Sequence, residues 1–489
     1  MRFLPAFNIR FVSYMLGILL VIEACFMGLA AAVSLIYNGD DFLSFIISMG
    51  IIMGVGGIGI LLGRNHRRLK ISRRDGVLLV AISWAIFSAF GMLPFLFSGS
   101  IPRVVDAYFE TMSGFTTTGA SILNNIEELP HGILFWRSAI QWVGGMGMIV
   151  FTLAILPMLQ GNTSLIFEAE ASGLTMSKFL PRATQIANRL WGVYLGLTII
   201  LIGLLWAGPM NLYDSICHAF TAMATGGYST KQASIEHYNS PYVEYVLSAF
   251  MFIAAINFTL IYFAVLRKWD EIRKDEELRA YTIVTVVATL VVTVGLLYTG
   301  YYTDVEQTFR TALFQVTSII SSTGFASADY VPWGPFFWLV MLGLMLFCGC
   351  AGSTSGGMKM VRAVVISKVA NNEFRKIAHP NAVFAVKLGN HALSQDIVNK
   401  VLAFFVVFLA VVAFAIVIAC ACGVPFEEAI GGVLTCISNV GPGLGSVGPA
   451  GNFAHMPDAV KWLYSFVMMT GRLEVFTVLV LFQPSFWRS

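Results

Sequence analysis

Apolar residues run in long blocks along this chain, too long and too unbroken to be single faces of soluble helices. A helix needs about 20 mostly apolar residues to cross the hydrocarbon of a bilayer. Blocks of that kind occupy 12–37, 41–63, 76–98, 134–157, 187–207, 242–266, 281–300, 333–365, 398–421 and 459–482. They predict ten crossings, the eighth of them interrupted. The first block is too long for a signal-peptide core and has no small-residue cleavage site, so it reads as a retained helix.

The polar stretches between blocks are of two kinds. Segments 64–74 and 267–279 carry six and five Lys or Arg, and 368–400 adds Lys368, Arg375, Lys376, Lys387 and Lys400. The opposite side has only Arg103, Lys231 and Arg310 in its loops. Basic loops stay in the cytoplasm, which predicts that both termini are cytoplasmic. The opposite-side segments 101–133, 211–240, 304–331 and 424–457 are too long for turns. Each opens with a fairly apolar stretch of about 10–13 residues, a length that fits a re-entrant helix and not a span. Each then ends in a polar run containing glycine.

Those four runs align with one another: Ser113–Ser121 is SGFTTTGAS, Thr221–Ser229 is TAMATGGYS, Ser318–Ala326 is SIISSTGFA and Thr435–Gly443 is TCISNVGPG. All begin with a hydroxyl residue and place a glycine at the seventh position, as Gly119, Gly227, Gly324 and Gly441. Thirteen residues before the glycine stand Asp106, Asp214 and Glu428; the third run has Thr311 there. The fold class is therefore all-α and polytopic. It has four pseudo-repeats of helix, re-entrant helix, glycine turn and helix around one axis, after two extra helices. The repeat boundaries fall at 1–75, 76–186, 187–280, 281–397 and 398–489.

Non-helical backbone at membrane depth must be buried in protein or line a water-filled cavity. Glycine reaches dihedrals closed to other residues, so successive carbonyls can point one way. Four such turns around an axis make a ring of carbonyl oxygens, the device by which a filter replaces a cation's hydration shell. The short helices would aim their partially negative C-terminal ends at the same place. Asp106, Asp214 and Glu428, near the other ends of their helices, would gather cations at an outer mouth. A second irregular stretch lies in the eighth block, CGCAGSTSGGMKMVR at Cys348–Arg362. Glycine costs about 1 kcal/mol relative to alanine inside a helix, so Gly349, Gly352, Gly356 and Gly357 mark a broken helix. Arg472, within an apolar block, should face the protein interior or water, paired with Glu474 or bonded to backbone.

Composition agrees. Of 489 residues 57% are hydrophobic and only 12% charged, with mean hydropathy +0.77; soluble chains carry about 25% charged residues. A net charge of +3 is too small to point to nucleic acid. The Cys348/Cys350 and Cys420/Cys422 pairs sit in apolar runs with no histidines at ligand spacing, which disfavours a structural metal.

At the four loop runs the sequence resembles the Trk/Ktr/HKT superfamily of potassium transporters, specifically its bacterial TrkH-type subunits, over essentially the whole chain. The resemblance implies uptake of potassium, as substrate and not cofactor, through a channel-like pore in the bacterial inner membrane. It implies a filter built from Thr117, Thr118 and Gly119, Thr225, Gly226 and Gly227, Ser322, Thr323 and Gly324, and Asn439, Val440 and Gly441. Glycine in the place of Gly119 favours potassium over sodium; the fuller T-V-G-Y-G motif is absent, so a shorter, less strict filter is expected. The resemblance further implies an intramembrane gate at Gly349, Gly352, Ser353, Thr354, Ser355, Gly356 and Gly357 with Lys359 close behind, and Arg472 contacting it. It also implies a homodimer embedded in membrane lipid and a separate cytosolic TrkA-type nucleotide-binding subunit that docks on the basic loops.

Other classes stay open at this stage. A potassium symporter coupled to protons or sodium would share these motifs. An intramembrane lipid-modifying enzyme would need catalytic residues clustered at one membrane face, and an organic-solute transporter would show two inverted halves; neither pattern is present. GVGGIG at 54–59 lacks the strand that a dinucleotide site requires and reads, like VGGMG at 143–147, as close helix packing. Asn162–Ser164 fits a glycosylation acceptor but falls on the inner side, and His218 reads as a packing residue of its short helix.

Overall fold

The computed structural model describes residues 7–64, 72–155, 183–389 and 391–487. Each of the ten apolar blocks coincides with helix. Among the described residues, six helices are long and apolar enough to cross a membrane: Ile9–Ile36, Phe42–Gly63, Arg74–Phe97, Asn188–Trp206, Glu276–Thr299 and Gln395–Ala421. The helix His131–Ile155 covers the described part of the fourth block. The sequon at 162–164 lies outside the described residues.

Three blocks are not straight. The eighth is interrupted as expected, into Pro335–Leu346 and Met360–Ala378. Its two halves are joined by a parallel pairing of Phe347–Cys348 with Met358–Lys359. Two further breaks were not expected: Pro241–Ala254 turns by 106° into Phe258–Val265, and Asp458–Arg472 turns by 117° into Val475–Phe482. Hydropathy cannot see these breaks, because apolar letters continue on both sides. Their cause is polar. The Asn257 side chain caps the new helix at the Thr259 N–H, 2.8 Å away. Glu474 adopts φ 62° and ion-pairs with Arg362.

The four short helices span Val104–Phe115, Leu212–Met223, Val305–Ile320 and Phe426–Ser438. The third has 16 residues, longer than the sequence led one to expect. The first two long helices pack through their glycines: a Cβ on Gly56 would lie 3.0 Å from the Gly17 carbonyl oxygen, and one on Gly59 2.9 Å from that of Ser13. That explains half of GVGGIG, since Gly54 and Gly57 face open space. In VGGMG, a Cβ on Gly144 would lie 2.0 Å from the Phe115 carbonyl oxygen, and one on Gly145 2.8 Å from the Ala224 Cα. Those two glycines let the helix His131–Ile155 press against the ends of the first two short helices. Large apolar residues such as Leu61, Leu62, Val294, Val406 and Phe414 are exposed, as lipid permits, while the interior holds large apolar side chains together with many buried polar ones.

A closed ring of four loops

Each short helix ends in the same way. The fifth residue of each run has positive φ: 54° at Thr117, 53° at Thr225, 59° at Ser322 and 53° at Asn439. The left-handed conformation costs a non-glycine residue roughly 1–2 kcal/mol, yet two threonines, a serine and an asparagine accept it. The return is a bond from the sixth residue's N–H to the first residue's carbonyl. Thr118 donates to Ser113 at 2.8 Å, Gly226 to Thr221 at 2.8 Å, Thr323 to Ser318 at 2.9 Å and Val440 to Thr435 at 3.0 Å. This closes the helix end in the manner of a Schellman motif. The first position thus acts through its backbone; the hydroxyl is secondary. The seventh residue follows with φ 83°, 75°, 82° and 103° at Gly119, Gly227, Gly324 and Gly441.

The loops meet head to tail. A Cβ on Gly119 would lie 2.2 Å from the Gly226 carbonyl oxygen, one on Gly227 2.0 Å from that of Thr323, one on Gly324 1.8 Å from that of Val440, and one on Gly441 2.8 Å from that of Thr118. Each glycine therefore leans on the sixth-position carbonyl of the next loop, and the fourth closes on the first. All four glycines line a common open depression, with Arg137, Tyr228, Lys231 and Gln232 on its wall.

Residues that the sequence did not single out brace the ring. Gln141 donates to the Gly226 carbonyl at 2.7 Å and accepts from the Tyr228 N–H at 3.1 Å. Arg137 and Glu110, both fully buried, form an ion pair at 2.8 Å. Arg137 also donates to the Ser229 carbonyl, and Glu110 accepts from the Ile122 N–H. Tyr228 bonds the Glu110 carbonyl at 2.7 Å and lies under the Arg137 guanidinium. Tyr330 bonds the Gly443 carbonyl at 2.7 Å behind the fourth loop. The one signal in the sequence is the spacing of Arg137 and Gln141, four apart within an apolar helix, where polar side chains face inward.

On the other side of the ring from the depression lies the segment 349–357. Gly356 N–H donates to the Ser322 hydroxyl at 2.8 Å, and Ser355 and Ser322 share a hydroxyl bond at 2.9 Å. A Cβ on Gly356 would touch the Asn439 side chain at 2.6 Å. Thr354 bonds the Met223 carbonyl at the end of the second short helix, 3.1 Å away. The segment thus touches three of the four loops or their helix ends from beneath. Its own backbone is held from outside the ring. Arg472 donates to the Thr354 carbonyl at 2.6 Å and to the Gly144 carbonyl at 3.3 Å, so the backbone alternative holds and Glu474 pairs elsewhere. Lys359 bonds the Ser355 carbonyl, and Ser353 the Cys350 carbonyl at 2.6 Å. The Cys350 N–H donates to the Ala255 carbonyl at 2.8 Å and the Phe258 N–H to the Gly352 carbonyl at 3.1 Å. The segment therefore docks at the bend between Pro241–Ala254 and Phe258–Val265. A Cβ on Gly349 would lie 2.8 Å from the Ala255 carbonyl oxygen, and Gly357 takes φ 65°. Glu277 also went unnoticed in the sequence; its Oε1 accepts from Ala351 N–H at 2.7 Å and Val361 N–H at 2.9 Å, tying both ends of the break.

The three carboxylates expected at an outer mouth do not line the depression. Asp106 is held by the buried Lys461 at 2.6 Å and by Arg103 at 3.7 Å. Asp214 is buried, accepts from the Thr230 hydroxyl at 2.6 Å and lies 3.7 Å from Lys231. Burial raises its pKa, but the Thr230 hydroxyl, His218 and Lys231 together outweigh it and hold the carboxyl below its usual value. Glu428 lies 3.6 Å from His455. These groups anchor the starts of their helices, because each has a cation or donor beside it; they form no free acidic rim. His218 bonds the Ser229 hydroxyl at 2.9 Å, joining the second short helix to its loop.

A membrane protein that folds four re-entrant loops of one chain into a closed ring belongs to the class of single-chain membrane transport proteins. The family model described as TrkH, cation transport protein, matches residues 45–489. The Trk system potassium uptake protein TrkH of Salmonella typhimurium is 37% identical over 99% of this chain and 100% of its own length. TrkI of Halomonas elongata, another Trk system potassium uptake protein, is 35% identical over 97% of this chain and 96% of its own. The crystal structure of the potassium transporter TrkH from Vibrio parahaemolyticus superposes with TM-score 0.90 at 34% identity, covering all of both chains. The chain belongs to the TrkH family of cation transport proteins, as its loop motifs led one to expect.

Proposed function

We propose that this protein takes up potassium through a pore along the axis of the loop ring. The observation that carries the reading is the head-to-tail closure of four glycine loops, each glycine against the next loop's carbonyl. The filter is Thr117–Gly119, Thr225–Gly227, Ser322–Gly324 and Asn439–Gly441. Their backbone oxygens replace the water that a potassium ion sheds, as in other carbonyl filters. A negative cell interior then drives uptake, at about 2.3 kcal/mol per charge for each 100 mV. The segment 349–357, with Lys359 and Arg472, is the gate: it lies under the ring, and its many hydrogen bonds fix it there in this state. The relatives' names place them in a Trk system, which supports a regulatory partner. We infer a cytosolic nucleotide-binding subunit, a homodimer, and an inner-membrane location with the basic loops and both termini inside.

Rubidium flux into proteoliposomes holding the purified protein tests this. Potassium should block the flux well and sodium poorly. Gly119→Ser should reduce that preference at least about ten-fold, the factor set by 1.4 kcal/mol of lost discrimination. If no cation flux appears even after 349–357 is shortened, the pore reading fails.

A further inference from the structure

The four loops are not equivalent at the sixth position, the one whose carbonyl forms the ring. Loops one, three and four carry side chains there, Thr118, Thr323 and Val440; loop two carries Gly226. In loop one the Thr118 hydroxyl bonds Thr116 at 2.8 Å, and in loop three Thr323 bonds Ser321 at 2.7 Å. Loop two has Ala224 where those partners stand, so it has neither member of the hydroxyl pair. The space is taken by Gln141 from the neighbouring helix: a Cβ on Gly226 would lie 2.5 Å from Gln141 Cδ and Oε1. Gln141 is fully buried, and its amide bonds the main chain on both sides of Gly227. The carbonyl it holds, that of Gly226, is the one facing Gly119. Among the described residues, no side chain donates to the ring carbonyls of Thr118, Thr323 or Val440.

We propose that Gln141 is a specificity-determining residue that fixes the Gly226 carbonyl and thereby sets how strictly the ring separates potassium from sodium. The proposal rests on the reading of the ring as a filter. Discrimination in a carbonyl filter depends on the number, field strength and mobility of its dipoles. A carbonyl oxygen has two lone pairs; the amide occupies one and restrains the group, and the other stays available to an ion. Without the brace, loop two has neither the amide nor the hydroxyl pair that ties the sixth residue of loops one and three to its own turn, and the smaller ion can draw the Gly226 oxygen inward.

The test compares rubidium flux and its block by potassium or sodium in proteoliposomes for three variants beside the native chain and Gly119→Ser. Gln141→Ala should still conduct, with potassium preference reduced about ten-fold. Gln141→Met, similar in length but with no donor for the Gly226 carbonyl, should show a similar loss; it decides the matter if the alanine variant does not fold. Gln141→Ala combined with Ala224→Ser and Gly226→Thr rebuilds the hydroxyl pair of loops one and three, and should recover preference. Folded Gln141→Met with native preference, while Gly119→Ser loses it, would overturn the role of Gln141 and leave the filter standing. A triple variant as unselective as Gln141→Ala would also overturn it. Unaltered preference in Gly119→Ser as well would overturn the filter itself.

Discussion

At the scale of single residues, the four ring glycines offer a graded test. All have positive φ, so any substitution is strained there. The added Cβ would overlap most at Gly324, 1.8 Å from the Val440 oxygen and 2.9 Å from Pro442, and least at Gly441, 2.8 Å from the Thr118 oxygen. Alanine substitution should therefore reduce rubidium flux most at Gly324 and least at Gly441, with Gly227 and Gly119 between. A flat response across the four would argue against the ring closure described here. Behind the ring, removing one partner of the buried Glu110–Arg137 pair leaves an uncompensated charge, which costs about 3–5 kcal/mol. Glu110→Gln and Arg137→Met should each lower the melting temperature in detergent well below that of surface variants. The glycines were legible in the sequence because they recur four times in register. Glu110, Arg137 and Gln141 were not, because each occurs once: the spacing of Arg137 and Gln141 shows only that they face inward, and their partners Glu110, Gly226 and Ser229 come near only in the fold.

At the scale of elements, the broken eighth helix is held by side chains from three other helices: Glu277, Arg472, and Asn257, whose amide donates to the Ala351 carbonyl at 2.6 Å. Its interruption was plain from a glycine-rich run in an apolar block. The bends that receive it were not, since only Asn257 and Glu474 mark them, and one polar letter does not reveal a right-angled turn. If the segment is a gate, loosening an anchor should open it. Arg472→Ala frees the Thr354 carbonyl, and Glu277→Ala leaves the N–H groups of Ala351 and Val361 without an acceptor. Each should raise basal rubidium flux several-fold, by roughly the 5–10-fold that about 1–1.4 kcal/mol of lost anchoring supplies. Glu277→Gln keeps an acceptor oxygen and should stay near the native rate. In a chain with 349–357 shortened, neither alanine should add anything further.

At the scale of the whole molecule, charge ties the start of a short helix to the chain that leaves its loop. Asp214, at the start of the second short helix, bonds Thr230 beyond the second loop. Its carboxyl is held below the usual value, so it binds fewer protons folded than unfolded. The stability it supplies is complete above the ordinary carboxylate range and is lost as pH falls through its lowered folded value. Melting temperature should therefore drop on acidification less steeply in Asp214→Asn than in the native chain. The repeat spacing read from the sequence put this carboxylate near the start of its short helix, where it stands. Its placement away from the depression follows from Thr230 and Lys231, which only the folded loop brings near.

The ring is made by one chain, and that fixes the dose of any change to it. In a pore assembled from identical subunits, every substitution arrives in four copies. Here one substitution alters one quarter of the circle and leaves three quarters native. Such a ring can be adjusted in small steps, and loop two, with a glutamine in place of a hydroxyl pair, already differs from loops one and three by one.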